Sequence, residues 1–93
     1  MRTIKQLNSF KRDLKRESKG ANLAALNQTL PLVLALLAQD VPLPHKFHDH
    51  QLSGEWQGHN ECHIKPDLLL IYHKQDTEIL TLVRLGSHSE LFG

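Results

Sequence analysis

The run Leu68-Leu69-Leu70-Ile71-Tyr72 restricts what this chain can become more than any other stretch. An extended strand sends successive side chains to opposite faces, and here both faces are apolar. Such a strand belongs in the middle of a sheet, covered on both sides. Its neighbours read as strands too. Glu61–Lys65 alternates, with Cys62 and Ile64 on one face and Glu61, His63 and Lys65 on the other. Pro66 and Asp67 end or bend that strand. Lys74–Glu78 reads as a turn. Ile79–Leu85 reads as a third strand, which puts Arg84 on the same face as Leu80 and Leu82.

The covering layer must come from the N-terminal half. Arg2–Gln6 is short enough for an edge strand. Ser9 is a suitable N-cap for a helix running to about Ser18, with Phe10 and Leu14 on its apolar stripe and Gly20 as the stop. Leu23, Leu26, Leu30, Val33, Leu34 and Leu37 follow a helical period and predict a second helix over Asn22–Gln39. Pro31 falls inside it. The helix either kinks there or restarts with Thr29 as cap and Pro31 in its first turn. Val41–His45, with two prolines, predicts an extended connector, and His45–Gly58 a loop with turns at Gly54 and Gly58. The expected fold class is α+β. Two N-terminal helices pack on a small, mainly antiparallel sheet in the order β-α-α-β-β-β, with a short C-terminal segment. Residues 1–93 are expected to form one domain.

Charge is unevenly distributed. Residues 1–20 hold seven basic and two acidic side chains, whereas residues 21–93 hold four and eight. The basic residues fall mostly on the first helix, as a polyanion-binding surface or as a solvated face. The longest apolar stretch, Leu30–Ala38, is too short to cross a bilayer. The N-terminal residues show no apolar run after their charges, so no signal peptide is expected. One cysteine cannot make an internal disulfide, which fits a reducing compartment. A cytoplasmic protein without membrane contact is expected.

Four of the seven histidines lie between His48 and His63, with Cys62 and Trp56. Zinc would accept imidazole and thiolate from His59, Cys62 and His63, but strand alternation sends Cys62 and His63 to opposite faces. No paired C-x-x-C exists, and no metal or other cofactor is expected. Acid/base cleavage of a phosphodiester through its own 2′-hydroxyl needs a base, an acid and a cation. His63, Asp67, Arg84 and His88 lie at the ends of strands expected to be neighbours, and His50 can join them from the preceding loop. His45, His48, His59 and His73 are expected in solvent. Trp56 reads as an anchor pinning its loop to the core, with base stacking as the alternative. Phe92 reads as a core plug or a stacking residue.

Longer patterns narrow these options. The Val41–Pro44 connector is followed by D-H-x-L-x-G-x-W-x-G at Asp49–Gly58 and H-[IV]-x-P-D at His63–Asp67. Then come L-[IL]-Y at Leu70–Tyr72 and R-x-G-[ST]-H-x-x-L-F-G at Arg84–Gly93. Over Val41–Gly93 the chain resembles the YafQ branch of the RelE superfamily of bacterial toxins. The resemblance implies a RelE-like fold and a ribosome-dependent mRNA endonuclease (mRNA interferase), the toxin of a type II toxin–antitoxin pair. Such toxins cut mRNA in the A site of the 70S ribosome without a metal ion. The 2′-hydroxyl attacks the adjacent phosphate and leaves a 2′,3′-cyclic phosphate. The implied partner is a DinJ- or RelB-like antitoxin, through which alone operator DNA is bound.

Carried over by motif, the site residues are His50, His63, Asp67, Arg84 and His88, with Phe92 positioning a nucleotide. His50 is expected as general base and His88 as general acid, with Asp67 orienting His63 at the phosphate and Arg84 stabilising the phosphorane. Lys11, Lys15 and Lys19 are expected on 16S rRNA. The contrasting reading is a RelE-like module that binds antitoxin or ribosome without cutting.

Overall fold

Leu68–His73 does occupy the centre of a sheet. The computed structural model describes residues 1–93. Its elements are β1 (Thr3–Gln6), α1 (Asn8–Ser18), α2 (Leu23–Ala38), β2 (His50–Gln51), β3 (Asn60–Lys65), β4 (Leu68–His73), β5 (Ile79–Gly86) and α3 (His88–Phe92). The five strands lie in the order β1-β5-β4-β3-β2. β1 runs parallel to β5, and the other pairs are antiparallel.

Alternation along β4 divides the apolar residues into two layers. Leu68, Leu70 and Tyr72 join Cys62, Ile64, Leu80, Leu82 and Leu85 beneath Phe10 of α1 and Leu26, Leu30, Val33 and Leu37 of α2. On the opposite face Leu69, Ile71 and Val83 are covered by Leu91 of α3 and flanked by Trp56. α3 was not expected as a helix. Its start is a capping box: the Ser87 hydroxyl accepts from the Glu90 N–H, and the Glu90 carboxylate accepts from the Ser87 N–H.

One open choice is decided and two expectations are corrected. α2 runs through Pro31 as one helix rather than restarting at Thr29. Its apolar stripe is buried on both sides of the proline, and that packing outweighs one missing hydrogen bond. Arg84 does not share the face of Leu80 and Leu82. A bulge in β5 pairs Leu82 with Tyr72 and Arg84 with Ile71, which moves Arg84 to the face opposite the helices. Within the expected loop, His50–Gln51 forms a short fifth strand against β3.

β1 covers β5 only as far as Leu82, and beyond it α1 takes over the open edge. The Ser9 hydroxyl donates to the Val83 carbonyl at 2.7 Å, so Ser9 lies inside α1 and does not cap it. Asp13 accepts from the Leu85 N–H at 3.0 Å, and Arg16 donates to the Leu85 carbonyl at 2.9 Å. These three residues follow the spacing of one helix face. Asp13, only 4% exposed, also takes Arg84 Nε at 2.6 Å and Arg16 Nη1 at 3.0 Å. Burial alone would raise the pKa of Asp13. The hydrogen bonds from Arg84 and the Leu85 N–H, with the charges of Arg84 and Arg16, outweigh it and hold the carboxyl below its usual range.

The stabilisation from Asp13 is therefore complete above about pH 4, its unfolded range, and is lost as the pH falls through the lower folded value. Arg84 and Arg16 keep 28% and 42% of their side-chain surface in water, which screens the ion pairs. Asp13→Asn should cost about 2–4 kcal/mol at pH 7, read by urea unfolding. It should also flatten the acid limb of the stability curve. An unchanged acid limb would show that the limb arises elsewhere.

Candidate active site

Cross-strand register builds the site. His50 pairs with Glu61, Glu61 with Ile71, and Ile71 with Arg84. The next row of that face carries His63 opposite Leu69, and Leu69 opposite Gly86. Paired residues share a face. All these side chains therefore lie on the side of the sheet away from α1 and α2. His88 follows two residues beyond Gly86, as the first residue of α3. A side chain at Gly86 would displace its neighbours: a Cβ there would lie 2.9 Å from Arg16 Nη2 and 3.1 Å from a Glu90 carboxylate oxygen.

Two carboxylates divide the imidazoles between them. Asp67 accepts from both His88 Nδ1 and the His88 backbone N–H, each at 3.0 Å. The orienting role expected of Asp67 towards His63 thus falls on His88. The turn after β3 carries Asp67 to the N-terminus of α3, where the N–H of the first helical residue lacks an intrahelical partner. Chiefly the His88 backbone N–H, and then its ring, hold the Asp67 carboxyl below the usual range. Glu61, 4% exposed, takes His63 Nε2 at 3.0 Å and lies 3.6 Å from His50 Nε2.

The remaining ring nitrogens are also directed. His63 Nδ1 donates to the Pro66 carbonyl at 3.3 Å, so both nitrogens of that ring face acceptors. His50 Nδ1 lies 3.2 Å from the Gln51 carbonyl. The rings of His63 and His88 stand 5.7 Å apart. Phe92 lies 6.3 Å from His88 and 6.3 Å, edge on, from Trp56. It is 43% exposed, so Leu91 and not Phe92 closes the core. Trp56 packs on the second apolar layer.

His50, His63, Asp67, His88 and Phe92 are thus assembled. Arg84 shares the row, but its Nε and Nη2 are committed to Asp13. Sequence reasoning missed Glu61 and Asp13. The signal for Glu61 was its place two residues before His63 on one strand face. That for Asp13 was an acid between Phe10 and Leu14 on the apolar stripe. Of the histidines expected in solvent, His45 and His48 are exposed, the latter with its ring 5.3 Å from His63. His59 and His73 are half-buried and stacked at 4.9 Å.

His50, Glu61 and His63 place their donor atoms within 4.8 Å of one another. Two imidazoles and a carboxylate are ligands that zinc or copper accepts. Cys62, which strand alternation sends to the other face, is not among them. It is buried on the helix side, and burial raises its thiol pKa.

The geometry can be set beside known proteins. The family described as "Bacterial toxin of type II toxin-antitoxin system, YafQ" matches residues 2–93. The mRNA interferase toxin YafQ of Escherichia coli strain K12 is 34% identical over 92 residues, which cover 99% of this chain and 97% of that protein. The fold is that of YafQ in the E. coli DinJ–YafQ toxin–antitoxin complex (TM-score 0.81, 33% identity, 99% of this chain and 98% of that one). It is also that of a metal-bound toxin from Helicobacter pylori (TM-score 0.83, 47% identity, 99% and 100%).

The Asp67–His88 contact gives a direct titration test. In carboxyl NMR the Asp67 midpoint should fall below about 3.9, its usual value. His88→Ala should raise it only part of the way, because the backbone N–H of residue 88 remains. A midpoint in the ordinary range in the parent protein would mean that Asp67 and His88 are not engaged in solution.

Proposed function

The chain belongs to the YafQ family of type II toxin–antitoxin toxins, and from this we propose that it is a ribosome-dependent mRNA interferase whose histidines cut by acid/base catalysis. The observation that carries the reading is the division of imidazoles between Asp67 and Glu61, which gives neighbouring rings different roles. His50, with Nδ1 3.2 Å from the Gln51 carbonyl, offers Nε2 as the base for the 2′-hydroxyl proton. The 2′ oxygen attacks the adjacent phosphorus, and the bond from phosphorus to the 5′ oxygen breaks. His88, its Nδ1 held by Asp67, delivers a proton from Nε2 to that departing oxygen. The products are a 2′,3′-cyclic phosphate and a 5′-hydroxyl.

His63 has acceptors at both nitrogens, an arrangement that accommodates the doubly protonated ring, and it steadies the phosphate as a cation. Arg84 adds charge at the phosphorane through its free guanidinium edge, with Asp13 fixing its direction. Phe92, exposed beside His88, stacks on a base. A cation at His50, Glu61 and His63 would take two imidazoles out of this scheme, so toxin stripped of transition metals with EDTA and then returned to magnesium buffer should still cut.

The basic helix supports ribosome binding. Arg2 and Arg16 are tied into ion pairs with Asp40 and with Asp13, Glu17 and Glu90. Lys11, Lys15 and Lys19 are exposed. We assign these lysines to 16S rRNA backbone and a DinJ-like antitoxin to the role of inhibitor. Operator DNA is reached only through that antitoxin. No helix is long and apolar enough to cross a membrane.

The activity is tested by primer extension on a defined message with and without 70S ribosomes. The parent protein should cut within the A-site codon only when ribosomes are present. His50→Ala or His88→Ala should each lose about 10²–10⁴-fold in rate, with the thermal midpoint kept. Near-parental cutting by either variant removes that residue from the scheme, and no cutting by the parent on several messages sinks the proposal. The rate should follow a bell against pH, as a separate base and acid require. Replacing Lys11, Lys15 and Lys19 by Glu should weaken ribosome binding most at low salt and flatten its salt dependence, and unchanged binding would leave the helix merely solvated.

A further inference from the structure

Beside the catalytic histidines lies a cleft of about 660 Å³ that the scheme above does not use. One wall is a turn of α2, with Gln28, Thr29 and Leu32. The other carries Lys46 and His48 from the segment before β2, and Lys65 from the end of β3. Buried Phe47 and Ile64 are also among its lining residues, and it opens directly onto His50 and His63.

We propose that this cleft is a subsite for the RNA strand next to the scissile phosphate, with Lys46 and Lys65 binding the phosphodiester backbone. The inference rests on the proposed function for the direction in which the strand leaves. Its physical basis is local. The chain as a whole carries a formal charge of only +1, yet no carboxylate lines the cleft. Glu61, the acid of the adjoining row, is engaged with His50 and His63.

Both lysines are exposed and neither is neutralised. Lys65 Nζ donates to the Asn22 side-chain oxygen at 3.0 Å, a neutral partner that steers the ammonium and leaves two of its protons free. Lys46 Nζ stands 5.2 Å over the Phe47 ring, which holds it without cancelling its charge. Thr29 and Gln28 supply neutral hydrogen-bonding groups on the facing wall. Leu32, 51% exposed, gives an apolar rim against which a ribose or base can rest. Phosphate is gripped by point charges without regard to sequence, and the mixed wall leaves room for any base. An acidic peptide is the competing occupant. RNA is favoured because the cleft is continuous with the residues that face the scissile phosphate.

The test pairs binding with kinetics. A short single-stranded oligoribonucleotide, 2′-O-methylated throughout and so uncleavable, is titrated into labelled protein. The amide signals of Thr29, Lys46 and Lys65 should shift together with those of His63. In ribosome-programmed cleavage, replacing Lys46 and Lys65 by Gln should raise KM roughly tenfold and leave kcat within about twofold, the pattern of lost uniform binding. For the oligonucleotide, the dependence of log affinity on log salt should flatten by about 1.4, two contacts at roughly 0.7 each for a single strand.

Cleft signals that do not move at millimolar oligonucleotide, or an unchanged KM and salt slope, overturn the subsite. So does a double variant that binds RNA normally but loses a peptide from the antitoxin, since the cleft would then be the antitoxin's. A parent protein that shifts at the cleft but cuts no message would sink the proposed function and leave the subsite standing.

Discussion

Asp13 is the contact on which the rest of the site depends. β5 needs a partner along its whole length, because unpaired backbone groups next to a core are costly. β1 ends opposite Leu82, and Ser9, Asp13 and Arg16 complete the edge from a helix. A single buried carboxylate thus closes the sheet and aims Arg84. Arg16, held beside it, reaches Glu90 at 3.2 Å and ties α3 to α1. α3 carries His88 and Phe92, so the position of the acid end of the site follows from the same salt-linked corner. The tight fit around Gly86 belongs to this arrangement, since any side chain there would push Arg16 or Glu90 aside.

The face that carries the candidate site follows from the pleat. Once β4 is buried on both sides, alternation in β3 must send Glu61 and His63 away from the helices. β2 then places His50 beside Glu61. Three consecutive strands, β2, β3 and β4, form two adjoining rows, and a bulge adds Arg84 from β5. A bulge is the only way for β5 to keep both Leu82 and Leu85 in the helix-side layer. They are three residues apart, an odd spacing that strict alternation cannot place on one face. The extra residue that solves this packing problem is what delivers the arginine to the site.

Regular patterns were the legible part. The two long helices and three main strands could be read because their apolar spacing matches one period for the length of each element. Motif spacing points to His50, His63, Asp67, Arg84 and His88, and the fold brings them to one side of the sheet. What escaped depended on contacts between distant segments. The bulge at Val83–Arg84 has no glycine to mark it. Glu61 and Asp13 looked like ordinary surface acids until the fold buried them. Pairing Asp67 with His63 was a guess from nearness in sequence, whereas the tight turn presents Asp67 to the helix start at His88. The capping box at Ser87 and Glu90 was written plainly and went unread, because five residues show no helical period.

Under the proposed function, the exposure of His50, His88 and Asp67 bears on why a ribosome should be needed. His50 keeps 52% of its side chain in water, His88 keeps 58% and Asp67 68%. In that setting the Asp67–His88 attraction is screened by water. Covering the same groups with RNA would remove water and strengthen each of these contacts without moving a residue. Glu61, already buried, gains little from such closure, so His63 is preset whereas His50 and His88 become effective on assembly. Under the proposed function, the free toxin holds its phosphate-binding imidazole already oriented and depends on the bound message to complete the acid and the base.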